Sequence, residues 1–298
     1  MRPEAIIQQL FSGVSNGMIL FIVASGLTLV FGVMRVINFA HGSLYMLGAF
    51  LATAVAGYFS ATTLGFFAAL LIVPVIVAIV GLTIEILLFK RIYDKEHLLQ
   101  LLLTYGLTLI LGDVVRAIWG GDIYRLRPPE FLRGRIEFLD MRFPRYDLFL
   151  ITIGIVIVLG LWFLLQRTRY GRITRAAVTN PEMLSALGIN VDRIFTGVFM
   201  LGAWLAGLGG ALFAGRAAVG LGMDADIIVQ AFAVVVIGGL GSFFGALLGA
   251  LLIGITLSLG LLFPELPVPP QALPFLAMAL ILILRPWGLL GRSEVKRL

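Results

Sequence analysis

The chain has 298 residues, 60% of them hydrophobic and 13% charged, with no cysteine. Soluble domains carry about 25% charge, so this composition, with a mean hydropathy of +1.06, excludes an ordinary soluble enzyme and points to a polytopic membrane protein. The basic residues behind the net charge of +6 cluster between apolar segments, which assigns them to membrane topology rather than nucleic acid, and the lack of cysteine excludes disulfides and thiolate chemistry.

A helical span needs roughly 20 predominantly apolar residues. Residues 5–34 carry no charge and read as a retained span, being too long for a signal-peptide core. Residues 36–84 hold two crossings with a turn at "FSATTLG" near Ser60. Further spans are expected over 98–119, 148–166, 194–215 and 266–284, while 227–264 holds two crossings, one of them short. The chain is therefore expected to be one all-α unit over 1–298 with about 8–9 transmembrane helices, some of them broken or half-length. Arg167, Arg169, Arg172, Arg175 and Arg193 place the 166–193 loop in the cytoplasm, and Arg285, Arg292, Lys296 and Arg297 place the C-terminus there. By parity the 120–147 loop and the N-terminus fall outside.

The charges inside or near spans read as follows. Glu85 lies late in the third span beside Lys90 and Arg91 and takes a structural role. Asp113 and Arg116 are three apart on one helix face and neutralise each other. Asp224 and Asp226, with Arg216, belong to an outward connection that is either solvated or a docking patch. Ser15 in "GVSNG" fits the hydrolase elbow G-x-S-x-G, but the elbow needs a strand before it and Ser15 lies in an apolar helical run. A Ser15–His41 dyad is the remaining enzymatic option, with no third catalytic group in view.

Two interruptions stand out. "RVINFAHGSLYMLGAF" places Asn38, His41, Gly42 and Ser43 inside an apolar region. Backbone freed within a bilayer must find partners in protein or water, so a broken helix lining a cavity is expected, with a new helix near Leu44 capped by Asn38 or Ser43. The other reading is a tight turn at the membrane surface. "VVVIGGLGSFFGALLGALLIG" repeats the theme through Gly238, Gly239, Gly241 and Ser242. Paired Gly-interrupted segments in two halves point to a transporter's central site, so these eight residues are the candidate substrate path and the two windows a candidate two-half repeat.

"TNPEMLSALGIN" has short-helix grammar. Asn180 is an N-cap, Pro181 suits the first position, Glu182 favours the positive end, and Gly188 ends the helix. Met183, Leu184 and Leu187 provide an apolar face that fits another protein's groove, or packs on the chain's own membrane domain.

"GVSNGMILFIVASGLTLVFGVMRVINFAHGSLYMLGAF", "RAAVTNPEMLSALGINVDRIF" and "VVVIGGLGSFFGALLGALLIG", in that order, resemble the LivH-type permeases of branched-chain amino-acid ABC importers over nearly the whole chain. The resemblance implies a prokaryotic inner-membrane permease that pairs with a LivM-like second permease, two cytoplasmic ATPases and an extracytoplasmic substrate-binding protein. It implies that residues 180–188 couple to the ATPases. Relatives of this type also serve urea and short amides, and a stand-alone secondary transporter or channel is the alternative outside the family. The chain has no G-x-x-x-x-G-K-[ST], so ATP and Mg would serve partner ATPases rather than a P-loop here. No cofactor, metal or nucleic acid is expected on this chain.

Overall fold

The computed structural model describes residues 3–291 apart from 61, 94, 139–140, 264–268 and 270–271. Arg292, Lys296 and Arg297 lie outside the described residues. Eleven helices follow one another among those described: α1 (Pro3–Met34), α2 (Ala40–Tyr58), α3 (Thr63–Leu87), α4 (His97–Trp119), α5 (Arg145–Arg167), α6 (Arg169–Thr179), α7 (Pro181–Ala186), α8 (Val191–Ala214), α9 (Met223–Gly238), α10 (Phe243–Gly260) and α11 (Leu273–Leu284). A small antiparallel hairpin, β1 (Arg135–Phe138) and β2 (Met141–Pro144), precedes α5. Among the described residues seven helices are long and apolar enough to cross a membrane (α1 to α5, α8 and α10), and α11 is a shorter apolar helix. With the short α9, this is the all-α polytopic fold expected from composition. The turn after α2 falls at Ser60, whose φ is +55°, and Thr62 caps α3 by accepting from the Gly65 amide at 3.2 Å.

α1 is the central post and packs against α10, α8, α5 and α9. Lipid tails are as apolar as leucine, so helices associate through close packing of small residues. A methyl added at Gly13 of α1 would lie 2.7 Å from the Ile255 Cα of α10, and one at Gly48 of α2 would lie 2.6 Å from the Gly207 carbonyl of α8. α4 and α5 stand at the rim, where Leu102, Leu109, Ile155 and Leu159 are exposed as lipid contacts would be.

The two ends of the bundle are chemically distinct. At the hairpin end, Phe11 of α1 packs on Phe143 of β2, and Ser12 donates to Asp147 of α5 at 3.2 Å. The opposite end carries α6, with its arginines, and α7. α1 therefore starts at the hairpin end and runs to the arginine end.

Candidate functional site

The first interruption is a re-entrant segment. α1 ends at Met34, Arg35 takes a φ of +55°, and residues 36–39 turn back alongside α1. Thr104 of α4 donates its hydroxyl to the Ile37 carbonyl at 3.2 Å, and His41 Nε2 donates to the Val23 carbonyl at 2.9 Å. Val23 lies 11 residues before Met34, about 16 Å along α1. The start of α2 therefore lies well inside the bundle rather than at the end of α1, so the tight surface turn is excluded. α2 begins at Ala40, not Leu44, and Phe39 is its cap without a side-chain bond. A tight first turn satisfies the free amides instead: His41 N–H reaches the Asn38 carbonyl at 3.3 Å and Gly42 N–H the Phe39 carbonyl at 3.4 Å. Asn38 and Ser43 are thereby left free of capping. Ser43 donates to Asp224 Oδ2 at 3.1 Å, while the fully buried Asn38 amide has no hydrogen-bond partner on either atom among the described residues.

Asp224 opens α9, and the start of α9 meets the start of α2. Gly42 packs directly against the Asp224 carbonyl and lies 2.9 Å, measured from an added methyl, from Ile228. Asp224 is therefore a buried group at mid-depth, not part of an outward connection. The sequence signal was present in "GLGMDAD": a glycine-rich stretch followed by acids at a helix start, echoing "NFAHGS". Its closeness to Arg216 in the chain hid it.

The second interruption lies elsewhere. Gly239 and Gly241 take φ values of +95° and +77°, and Ser242 caps α10 by accepting from the Gly245 amide at 3.1 Å. Gly241 packs on Gly32 near the arginine end of α1, and Gly239 packs on Gly291 and Trp287. Leu289 and Leu290 amides close the break on the Ile237 and Gly238 carbonyls at 2.7 and 3.1 Å. The 16 residues of α9 hold this break about 24 Å from Asp224. Gly238, Gly239, Gly241 and Ser242 are consequently not brought to Asn38, His41 and Ser43. The repeat is instead built from α1–α2 and α8–α9. Each is a long helix followed by a returning segment and a helix that starts inside the bundle. α1 and α8 run antiparallel, with Gly202 on Gly26 and Gly209 on Val23, and α2 and α9 leave their junction toward opposite ends. The two units are inverted relative to each other.

Two buried polar clusters brace the ends. At the hairpin end Asp147 accepts from Ser12 and Ser15 at 3.2 and 3.1 Å, and Arg216 lies 3.5 Å from Asp147 and donates to Ser15 at 2.8 Å. Burial draws the Arg216 guanidinium down from its ordinary pKa, with Asp147 opposing. Ser15 is thus held in an ion-pair cluster and His41 is bonded to Val23, so no Ser15–His41 dyad forms. At the arginine end the buried Glu85 accepts from the Tyr93 hydroxyl at 2.7 Å and the Thr196 hydroxyl at 2.9 Å, tying α3 to α8. Burial and the Glu85 bond push the Tyr93 hydroxyl up. Asp113 and Arg116 are both exposed, and no ion pair joins them among the described residues. Lipid-side exposure leaves their side chains free to diverge.

α7 forms as its grammar requires. Asn180 accepts from the Met183 amide at 2.9 Å, Pro181 occupies the first turn with Glu182, and Gly188 stops the helix at a φ of +79°. The apolar face divides. Leu184 is buried against the chain itself, whereas Met183 and Leu187 are 64% and 73% exposed. α6 lies between α5 and α7 with Arg169, Arg172 and Arg175 on its exposed side and Gly171, Thr174 and Ala177 packed beneath.

The family described as the permease component of the branched-chain amino acid transport system matches residues 9–284. The permease protein BraD of Pseudomonas aeruginosa is 30% identical over 98% of this chain and 97% of its own length. The LivH permease of Escherichia coli K12 is 28% identical with the same coverage, and a probable LivH of Methanocaldococcus jannaschii is 29% identical over 94% of this chain and 91% of its own length. Relatives matched from end to end leave the re-entrant helices and the α6–α7 platform inside the shared region, and the chain belongs to the family of branched-chain amino acid transport system permease components.

Proposed function

We propose that this chain is the translocation subunit of an ATP-driven importer whose cargo is a branched-chain or related hydrophobic amino acid. The observation that carries the reading is the inverted pair of broken helices meeting at mid-depth, the arrangement in which alternating-access transporters place their central sites. The arginine end is the cytoplasmic end, by the excess of arginine on α6. That orientation puts the N-terminus outside and the C-terminus inside. The assembly needs a second, LivM-like permease, two ATPases below α7 and a binding protein at the hairpin end. ATP and Mg are used by the ATPases, and this chain binds no cofactor.

The path has two layers in this reading. Asn38, His41, Gly42 and Ser43, joined by Asp224, form the mid-depth layer. Gly238, Gly239, Gly241 and Ser242 form the cytoplasmic layer, where the exposed Gly241 and the half-buried Ser242 meet the departing cargo. The Ser43–Asp224 hydrogen bond closes the first layer, and separating α2 from α9 opens it. Asn180, Pro181, Glu182 and Gly188 shape the coupling helix, Leu184 fastens it to the permease, and Met183 and Leu187 enter the ATPase. Motion of the ATPase then reaches α8 through the short link at Ile189 and Asn190.

Gentle purification from the native membrane, followed by mass spectrometry, tests the assembly. A P-loop ATPase pair and a second apolar permease are expected. A solitary chain of unchanged mass in detergent would overturn the importer reading in favour of a secondary transporter or channel. For the path, Asp224→Asn should lower uptake at least tenfold with assembly retained, and unchanged uptake would remove the mid-depth layer.

A further inference from the structure

The rim of the bundle carries a groove of about 590 Å³ between the end of α3 and α4. Its walls include Leu99, Leu102, Leu103, Leu107 and Ile110, and its floor is dented at Gly106, where an added methyl would meet nothing within 4 Å. Arg91 and Lys95 stand at its mouth. Both are exposed, and neither has an ion-pair partner among the described residues. Glu96 follows Lys95 in the chain but does not line the groove.

The geometry points to a binding site for one anionic phospholipid, with the phosphate between Arg91 and Lys95 and an acyl chain along α4 over Gly106. Two observations select a lipid over a protein helix. From Leu99 to Ile110 the wall is about 17 Å deep, close to half of a hydrocarbon core of about 30 Å. The cations are confined to the mouth and the walls below are apolar, which is the charge layout of a headgroup above a tail. Basic pockets between helices near the membrane surface recognise anionic headgroups in this way. The site touches the cytoplasmic end of α3 just beyond Glu85, so a bound lipid would brace the α3–α8 contact from outside. The inference rests on the membrane reading alone and stands whether or not the chain is an importer subunit.

The test uses the permease purified with whatever assembles on it, exchanged into nanodiscs of mixed phosphatidylglycerol and phosphatidylcholine. Lipid retained after detergent extraction is then quantified by mass spectrometry. The unaltered protein should retain phosphatidylglycerol preferentially. Arg91→Gln with Lys95→Gln should reduce that preference about thirtyfold, as expected for two charges near the surface. Gly106→Leu, which fills open space in a helix, should reduce retention of either lipid. Lys90→Gln, outside the groove, should change neither. Equal retention in all four proteins would overturn the site, provided the variants elute as the parent does. Loss of a co-purifying polypeptide rather than lipid would also overturn it and identify the groove as a protein contact.

Discussion

Asp147 and Arg216 show what a single residue can decide in a low-dielectric bundle. Asp147 is buried and Arg216 largely so, and each satisfies the other together with Ser12 and Ser15. Asp147→Asn leaves the guanidinium buried without its counter-charge, which costs about 3–5 kcal/mol. The midpoint of thermal unfolding in detergent should fall accordingly, and adding Arg216→Gln should recover at least half of the loss. The sequence placed these residues near a span end but gave no hint of their pairing, because 69 positions separate them and only the packing of α5 and α8 on α1 brings them together. Gly48 makes the complementary case for packing. Gly48→Ala puts a methyl 2.6 Å from the Gly207 carbonyl and should destabilise by about 1–3 kcal/mol through overpacking, read in the same unfolding experiment.

α7 is an element whose existence and boundaries were legible from Asn180, Pro181 and Gly188, since caps and stops act locally. The direction of its side chains was not legible. Two turns of helix have no majority face, and which leucine turns inward depends on α6 and α8. The exposed pair now separates two effects. Met183→Glu with Leu187→Glu should abolish ATPase association while the permease inserts and unfolds normally, measured by co-purification. Leu184→Glu should instead lower the unfolding midpoint, because it places a charge in a buried position. The re-entrant segments tell a similar story. Glycine, serine and asparagine inside an apolar run correctly announced a break at 38–43. The match of Gly42-Ser43 to Gly241-Ser242 misassigned its counterpart, because glycine pairs recur by chance in a chain with 35 glycines. The true counterpart at Asp224 is marked by position relative to a long helix, not by matching letters.

At the scale of the whole molecule, composition alone settled the class, and the alternation of apolar and basic segments gave the order of the spans. The absence of native cysteine makes the orientation directly measurable. Ser60→Cys should react with an impermeant maleimide added outside intact cells, and Ser185→Cys only after permeabilisation. The reverse pattern would invert the proposed topology and place the coupling helix on the wrong side for ATPases.

The junction of α2 with α9 also has a consequence for how the protein is made. Its two halves are contributed by residues about 180 positions apart, Ser43 and Asp224. α9 has 16 residues and two acids in its first turn, too short and too polar to partition into lipid unaided. It must wait for a prepared slot, and the slot, with the His41 imidazole already anchored on Val23, stays open until the ribosome has delivered about four-fifths of the chain. A nascent chain halted before residue 223 should therefore hold α2 loosely, and a probe at Ser43→Cys should react in the truncated chain and fall silent once α9 arrives. Assembly of the bundle would then close from its middle, late in synthesis.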